Sequence, residues 1–294
     1  MDVTDAVPRL GWSPTRKELI AATSRQAFEQ ALADGRVVRL AHGRYGLPGR
    51  LDEARSAAVR VNGVMSHLTA ALHWEFAVRT PPEQPVITVP RWRSLPKSRR
   101  GGVAIRWTNL PETDVADGAP VTSPLRTVLD CAATLPLPEA LVVADSALRT
   151  PFVTEAQLRA AAKQAPPRFR SRVTRVASYA DGRAESALES LVRGIAADVP
   201  GLDLRPQVRI AGRHPDLYDE RLRLVVECDS FEFHSRRADL LRDCERYNVF
   251  ALERLVVVRF GWEHAMNRPA YVRETLTSLV DLLAVPSAQS RRTA

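Results

Sequence analysis

The chain lacks the features that would place it in a membrane or cross-link it by disulfides. No run of about eighteen apolar residues occurs, so no membrane-spanning helix is predicted. The first residues, MDVTDAVPRLGW, lack a basic segment followed by an apolar one, and we therefore expect a cytoplasmic, nucleoid-associated location. The three cysteines, Cys131, Cys228 and Cys244, are odd in number and form no CxxC pair, which favours reduced thiols over disulfides or a zinc site.

Lysine is also scarce, because 39 of the 42 basic residues are arginine. The formal net charge is +8 and the sequence pI is near 10.0. Such a charge favours a polyanionic partner, since basic side chains near phosphates gain affinity by releasing counterions. An arginine-rich composition is also expected of a GC-rich genome, so the charge permits nucleic-acid binding without establishing it.

The length of 294 residues predicts more than one domain. The sequence pattern indicates a multi-domain α/β (α+β) chain with three parts, residues 1–50, 51–165 and 172–294. The segment QAPPRFRSR, residues 164–172, combines prolines with arginines and is the predicted linker.

The first part is predicted to be a winged helix-turn-helix. SPTRKELIAA and TSRQAFEQALADG have the pattern of two helices, with Thr23 or Ser24 as the N-cap of the second, and RVVRLAHGRYGLPG then predicts a hairpin. A small domain that packs against other proteins is the alternative. The residues expected to contact DNA here are Arg25, Gln26, Arg39 and Arg44.

The middle part is predicted to be an α/β domain with a basic loop. The strands PVITVP and GVAIRW flank the loop RWRSLPKSRRGG, which places arginines beside Trp92. Charge for phosphates and a ring for stacking are what a nucleic-acid contact needs, although an ordinary solvated loop has the same composition. The candidate DNA-binding residues of this loop are Arg91, Arg93, Arg99 and Arg100.

The last part has the order helix, three strands, helix, strand and helix, which predicts an α/β sandwich around a mixed sheet. If the chain turns tightly at Arg221 and Leu222, Asp216 faces Glu227 on the next strand, and Asp229 shares their face. Opposed like charges are destabilising unless a cation bridges them, and hard oxygen ligands suit Mg²⁺, with Mn²⁺ as the substitute. Glu189 on the first helix is a further candidate. The alternative is that these carboxylates lie in turns and pair with arginines.

A series of motifs extends from about residue 183 to 283. In order, they are Ser186-Ala-Leu-Glu189, Pro215-Asp216, Val226-Glu227-Cys228-Asp229, His234, Arg242-Asp243 with Arg246, and Val258-Arg259-Phe260. Their order and spacing resemble the PD-(D/E)XK nuclease fold and, within it, the very-short-patch-repair (Vsr)-like endonuclease domain. The resemblance implies a restriction-endonuclease-like sandwich.

The resemblance also implies roles for these residues. Asp216, Glu227 and the carbonyl of Cys228 would hold the metal, and Glu189 would complete the site or orient water. Asp229 stands where many relatives have Lys, so His234 would serve as general acid/base. The two arginines that would hold a phosphate are Arg242 and Arg246. Ser230 replaces the Gly that usually follows the second acidic pair.

Residues of about 5 to 150 resemble a second family, the AbiEi-type antitoxins, in GWSPTRKELIAA, RVVRLAHGRYGLP, VMSHLTAALH and VTSPLRTVLDCA. This resemblance implies a winged helix followed by an α/β domain, DNA binding and autoregulation. A toxin partner is not implied by the sequence alone.

These patterns together predict a DNA-binding protein with a Mg²⁺-dependent endonuclease activity, in DNA repair or in defence against foreign DNA. The alternative is a non-catalytic transcriptional regulator or antitoxin that uses the nuclease fold as a scaffold. An RNA-processing nuclease is a third reading, and a homodimer stays open.

Overall fold

The computed structural model describes residues 1–10, 14–41, 44–48, 50–117, 119–229 and 237–284. The chain is a mixed α/β protein that divides into two compact units, Met1–Gly182 and Arg183–Ala294. Across the described ranges, every helix is too short or too polar to cross a bilayer.

The first unit opens with three helices and a hairpin. Thr15 and Glu18 form a reciprocal capping box at the start of the second helix, and the hydroxyl of Ser24 caps the third. The ring of Phe28 packs edge-on against Tyr45 of the hairpin, with 4.8 Å between centroids, so helix and hairpin share one core. The elements are α1 (Val3–Arg9), α2 (Arg16–Ala22), α3 (Arg25–Ala33), β1 (Val38–Ala41) and β2 (Arg44–Gly46).

A three-stranded sheet and six helices complete the first unit. The sheet order is β3-β4-β5, with β3 and β4 antiparallel and β4 and β5 parallel. The elements are α4 (Arg50–Val61), β3 (Val64–Met65), α5 (His67–His73), β4 (Val86–Val89), β5 (Ala104–Trp107), α6 (Pro124–Thr134), α7 (Leu137–Leu148), α8 (Glu155–Gln164) and α9 (Pro167–Tyr179).

The segment 164–172 is not the predicted linker between units. It contains the end of α8 and the first residues of α9, and the second unit begins at Arg183. Pro166 and Pro167 stand at the N-cap and first position of α9, where the missing N–H costs no hydrogen bond. Val173 and Val176, one turn further on, are buried in the core that α9 shares with α6 and α7.

The second unit is built around a four-stranded mixed sheet of order β6-β7-β8-β9, in which only β8 and β9 are parallel. One short helix, α12, follows β9 and was not predicted. The elements are α10 (Ala187–Ala196), β6 (Arg205–Pro206), β7 (Leu217–Asp219), β8 (Leu224–Asp229), α11 (Arg237–Leu252), β9 (Val256–Gly261), α12 (Trp262–Asn267) and α13 (Pro269–Ala284).

The turn between β7 and β8 is fixed by Asp219, which is 2% exposed. Its Oδ1 accepts a hydrogen bond from the Leu222 N–H at 2.8 Å, and its Oδ2 accepts one from the Asp203 N–H at 2.7 Å. Beyond this turn, the strands pair with Leu217 opposite Val226. Asp219 therefore helps to fix which residues of β7 and β8 lie opposite each other.

Replacing Asp219 with alanine is expected to lower the free energy of unfolding by about 2 to 4 kcal/mol, because the buried N–H of Leu222 and the partly buried N–H of Asp203 lose their acceptor. The measurement is urea unfolding together with hydrogen exchange of the β8 amides. Asp219→Asn keeps one acceptor oxygen, so its free energy of unfolding should lie between those of wild type and Asp219→Ala. Glu220→Ala, at the exposed neighbour, is the control, and equal midpoints for both alanine variants would contradict this role.

Candidate active site in the second unit

Two carboxylates from neighbouring strands face each other at the start of β7. Asp216 directly precedes β7, so continuing the pairing of Leu217 with Val226 places it opposite Glu227, as the alternation predicts. The Cys228 N–H donates to Oδ2 of Asp216 at 2.7 Å, which holds the first carboxylate against β8. Glu227 is 6% exposed.

The start of α10 brings Glu189 to the same place. The hydroxyl of Ser186 caps the helix by accepting from the Glu189 N–H at 3.1 Å. The carboxylate turns back, and its Oε2 accepts from the Glu185 N–H at 2.9 Å and from Nε2 of Gln207 at 3.2 Å. Glu189 is 5% exposed, so these contacts hold a buried charge in one orientation.

The cluster carries negative charge that its neighbours only partly offset. Burial, followed by the charges of Glu227 and Glu189, raises the pKa of Asp216 to about 8. Burial also raises the pKa of Glu189 and that of Glu227. The Cys228 thiol lies beside the same carboxylates, and burial together with their charge raises its pKa well above the ordinary value. The thiol is therefore protonated at neutral pH.

Two arginines bind the acidic side chains of β8. Nη2 of Arg246, from α11, contacts Oε1 and Oε2 of Glu227 at 2.9 and 2.8 Å, and also donates to the His214 carbonyl at 2.9 Å. Arg259 on β9 forms two hydrogen bonds of 2.8 Å to the partly exposed carboxylate of Asp229. Arg246 was predicted to hold a phosphate, and in this structure its guanidinium binds Glu227 instead.

The carboxylate oxygens are a donor set that suits Mg²⁺ or Mn²⁺. No three His, Cys, Asp or Glu side chains within the described ranges are arranged to hold a metal ion together. At this cluster the Glu227 carboxylate already has a cationic partner, because both of its oxygens contact Nη2 of Arg246.

The other predicted residues of this unit fall partly outside the described structure. His234, the predicted general acid/base, and Ser230 lie outside the described residues. Arg242 belongs to α11, but its side chain is also outside what the structure describes. Asp229 shares a face with Glu227 and its charge raises the pKa of Glu227, while its own carboxylate is occupied by Arg259.

The DNA-binding candidates of the first helices and the hairpin lie at the surface where their side chains are described. Arg25 is exposed and forms an ion pair of 3.2 Å with Glu29. Gln26 and Arg39 are exposed, while Arg44 lies in β2 with a side chain outside the described part.

The basic loop between β4 and β5 contains two kinds of arginine. Arg93 donates to the carbonyls of Val61 and Asn62, and Arg100 donates twice to the carbonyl of Leu95, at 2.9 and 2.6 Å. These two side chains therefore hold the loop in place. Their guanidinium groups also lie over the rings of Trp92 and Trp107, respectively. Arg91 and Arg99 are exposed.

Sequence reasoning did not assign two residues that shape the site. Gln207 reaches Glu189 only because the chain folds β6 back onto β7, and no local pattern signals that contact. Arg259 is part of a recognised motif, and its parallel pairing opposite Glu227 could have identified it as a partner for a β8 carboxylate. Long-range pairing therefore supplies contacts that motif spacing does not.

Asp216→Asn is expected to make the stability of the metal-free protein less sensitive to pH. The folded protein holds the Asp216 proton more tightly than the unfolded chain, so this carboxyl contributes stability at low pH that is lost as the pH rises toward about 8. Asn cannot ionise, so the stability of the variant relative to wild type should rise between about pH 4 and about pH 8 and stay level above that. Urea midpoints measured in EDTA test this. Glu274→Gln, at an exposed carboxylate, is the control, and parallel curves for wild type and Asp216→Asn would contradict the charge coupling.

No protein-family model matches the chain. Two curated proteins of Mycobacterium tuberculosis, uncharacterized protein MT2308 of strain CDC 1551 / Oshkosh and uncharacterized protein Rv2248 of strain ATCC 25618 / H37Rv, are 34% identical over 137 residues. The match covers 44% of this chain, and the chain spans about half the length of these relatives, 50% in each case. The crystal structure of the RV2827C protein from Mycobacterium tuberculosis is similar over 72% of this chain and 85% of its own, with 17% identity and a TM-score of 0.31.

Proposed function

We propose that the protein binds DNA and that its second unit hydrolyses phosphodiester bonds with a divalent metal, in the manner of the PD-(D/E)XK and Vsr-like endonucleases. The observation that carries this proposal is the opposition of Asp216 and Glu227 on adjacent strands, with Glu189 beside them. Such a cluster costs stability unless a cation is near it. In a nuclease, the same carboxylates would be needed to bind the metal, which would account for their cost in stability.

Asp216 and Glu227, with the carbonyl of Cys228, would hold Mg²⁺ or Mn²⁺. When bound, the metal would supply an activated water and stabilise the departing phosphate oxygen. The Cys228 N–H keeps the Asp216 carboxylate oriented, and Gln207 does the same for Glu189. Glu189 is placed to orient a water molecule, and His234 is proposed to move the proton.

Arg246 has a second role in this proposal. While it binds Glu227, its charge offsets part of the cluster. Once a metal replaces it there, its guanidinium fork becomes available for a phosphate oxygen of the substrate. The Arg246 side chain would thus stabilise the metal-free site and would contact the substrate in the metal-bound site.

DNA is the proposed substrate because exposed basic and aromatic side chains lie in the first unit. Trp92 is 75% exposed, and Arg91 and Arg99 on the same loop are exposed too. These groups can stack on bases and contact phosphates, respectively. The helices α2 and α3 with the β1-β2 hairpin have the order of a winged helix, which would place α3 in the major groove. Repair or defence against foreign DNA is the proposed setting.

Wild-type protein is expected to cleave at least one member of a panel of plasmid, mismatched duplex, single-stranded DNA and RNA when Mg²⁺ or Mn²⁺ is added. Glu227→Gln should reduce the rate by at least about a hundredfold, because one ligand loses its charge. Gel assays with EDTA as the blank measure this. Glu220→Gln, exposed on the same hairpin, is the matched control and should cleave like wild type. Cleavage that is unaffected by Glu227→Gln would contradict the proposal.

The second candidate function is a transcriptional regulator or antitoxin in which the nuclease fold serves as a scaffold. The observation that favours it is the pairing of arginines with the acidic residues of β8, Arg246 with Glu227 and Arg259 with Asp229. In that case these pairs are permanent structural contacts. The protein would then bind a specific DNA sequence and cleave none.

Arg246→Met separates the two candidates. If the cluster is a metal site, the variant should bind Mn²⁺ about tenfold more tightly than wild type, because the competing cation is gone. If the pair is only structural, the variant should lose stability, since Glu227 is left buried and unpaired, and should bind no Mn²⁺. Isothermal titration calorimetry and thermal unfolding measure both properties. Arg259→Met, whose partner is partly exposed, is the control.

A further inference from the structure

A cavity of about 650 Å³ is lined by residues of the first unit, whereas the carboxylate cluster belongs to the second unit. It is bounded on one side by the loop and strand residues around β5, and on the other by α6, α8 and α9. Cavities of roughly 300 to 1,000 Å³ are the usual size for small-ligand sites. The size therefore admits a ligand much larger than an inorganic ion.

The strand side of the cavity is strongly basic. Arg91 and Arg106 line it, are exposed, and form no ion pair with any carboxylate of the described residues. The two acidic residues of the lining, Asp114 and Asp130, both contact Arg126, at 2.9 and 2.8 Å, while the buried Oδ2 of Asp130 has no hydrogen-bond partner within the described residues. The two free guanidinium groups are thus left to attract an anion such as a phosphate.

His67 marks the deeper part of this basic wall. Its Nδ1 lies 2.9 Å from the hydroxyl of Ser66, which also accepts a hydrogen bond from Thr88. Burial first, and then the charges of Arg106 and Arg126, lower the pKa of His67 to about 4. The imidazole is consequently neutral at physiological pH, and it lines the same cavity as Arg106 and Arg126.

The helical side of the cavity combines apolar, aromatic and polar groups. Leu129, Ala161 and Val173 come from three different helices, and the rings of Phe169 and Trp107 also line the space. The polar residues that the same helices contribute are Arg126, Asp130, Thr134, Gln164 and Arg168. A flat ring system with polar edges can pack on the apolar groups and form hydrogen bonds with the threonine, asparagine and glutamine side chains of the lining.

We propose that this cavity binds a nucleoside monophosphate, with the phosphate at Arg91 and Arg106 and the base against the helical wall. The chemistry is the same for a free mononucleotide and for the phosphorylated end of a nucleic-acid strand. The inference does not depend on the proposed nuclease activity, since all lining residues belong to the first unit.

The first experiment is isothermal titration calorimetry of the full-length protein in EDTA with the common ribo- and deoxyribonucleoside 5′-monophosphates, the matching nucleosides, inorganic phosphate, and a short oligonucleotide with or without a 5′-phosphate. At least one monophosphate, free or at a strand end, should bind at least about tenfold more tightly than phosphate or nucleoside alone. Binding of free nucleotide identifies a small-molecule ligand, and binding of the phosphorylated oligonucleotide alone identifies a strand end.

Two matched pairs of variants test the location. Arg106→Gln should weaken binding at least about tenfold, while Arg159→Gln, at an exposed arginine outside the lining, should leave it unchanged. Ala161→Phe should fill the cavity from α8 and abolish binding, while Ala160→Phe, on the exposed side of the same helix, should not. Circular dichroism checks that each variant is folded. The proposal is overturned if no monophosphate binds, if phosphate alone binds equally well, or if binding survives in folded Arg106→Gln and Ala161→Phe.

Discussion

The register of the β7-β8 hairpin is the constraint on which the candidate active site depends. The buried carboxylate of Asp219 closes the turn by accepting two backbone hydrogen bonds, and the strands then pair with Leu217 opposite Val226. One further step along both strands brings Asp216 and Glu227 together. A slip of a single residue would turn every side chain of β8 to the other face, and the carboxylates would no longer meet.

A small number of directed contacts in the second unit offset the repulsion between the carboxylates of Glu189, Asp216 and Glu227. Backbone N–H groups of Glu185 and Cys228 hold Glu189 and Asp216, and Arg246 binds Glu227. These contacts leave Asp216 with a pKa raised to about 8, so the compensation is incomplete. In the proposed function, a metal ion would take the place of Arg246 and complete this compensation.

Local patterns in the sequence were sufficient to predict the parts of the fold that depend on the alternation and spacing of side chains. The alternation around Leu224 and the spacing of Asp216 and Glu227 predicted their opposition, because side chains of neighbouring strands meet by simple geometry. The same reasoning failed at 164–172, where adjacent prolines begin a helix instead of a linker. It also missed Arg246 as the partner of Glu227 and the cavity beside β5, since both arise from contacts between elements distant in sequence.

The proposed function requires that Asp216 and Glu227 form a metal site. In the metal-free protein, Arg246 would occupy part of that site. The most direct measurement is anomalous diffraction from crystals soaked in Mn²⁺. An anomalous peak is expected within coordination distance, about 2.0 to 2.4 Å, of both carboxylates, and Arg246 is expected to have moved away from Glu227. A cluster that shows no peak at saturating Mn²⁺, with Arg246 still bound to both oxygens of Glu227, would contradict it.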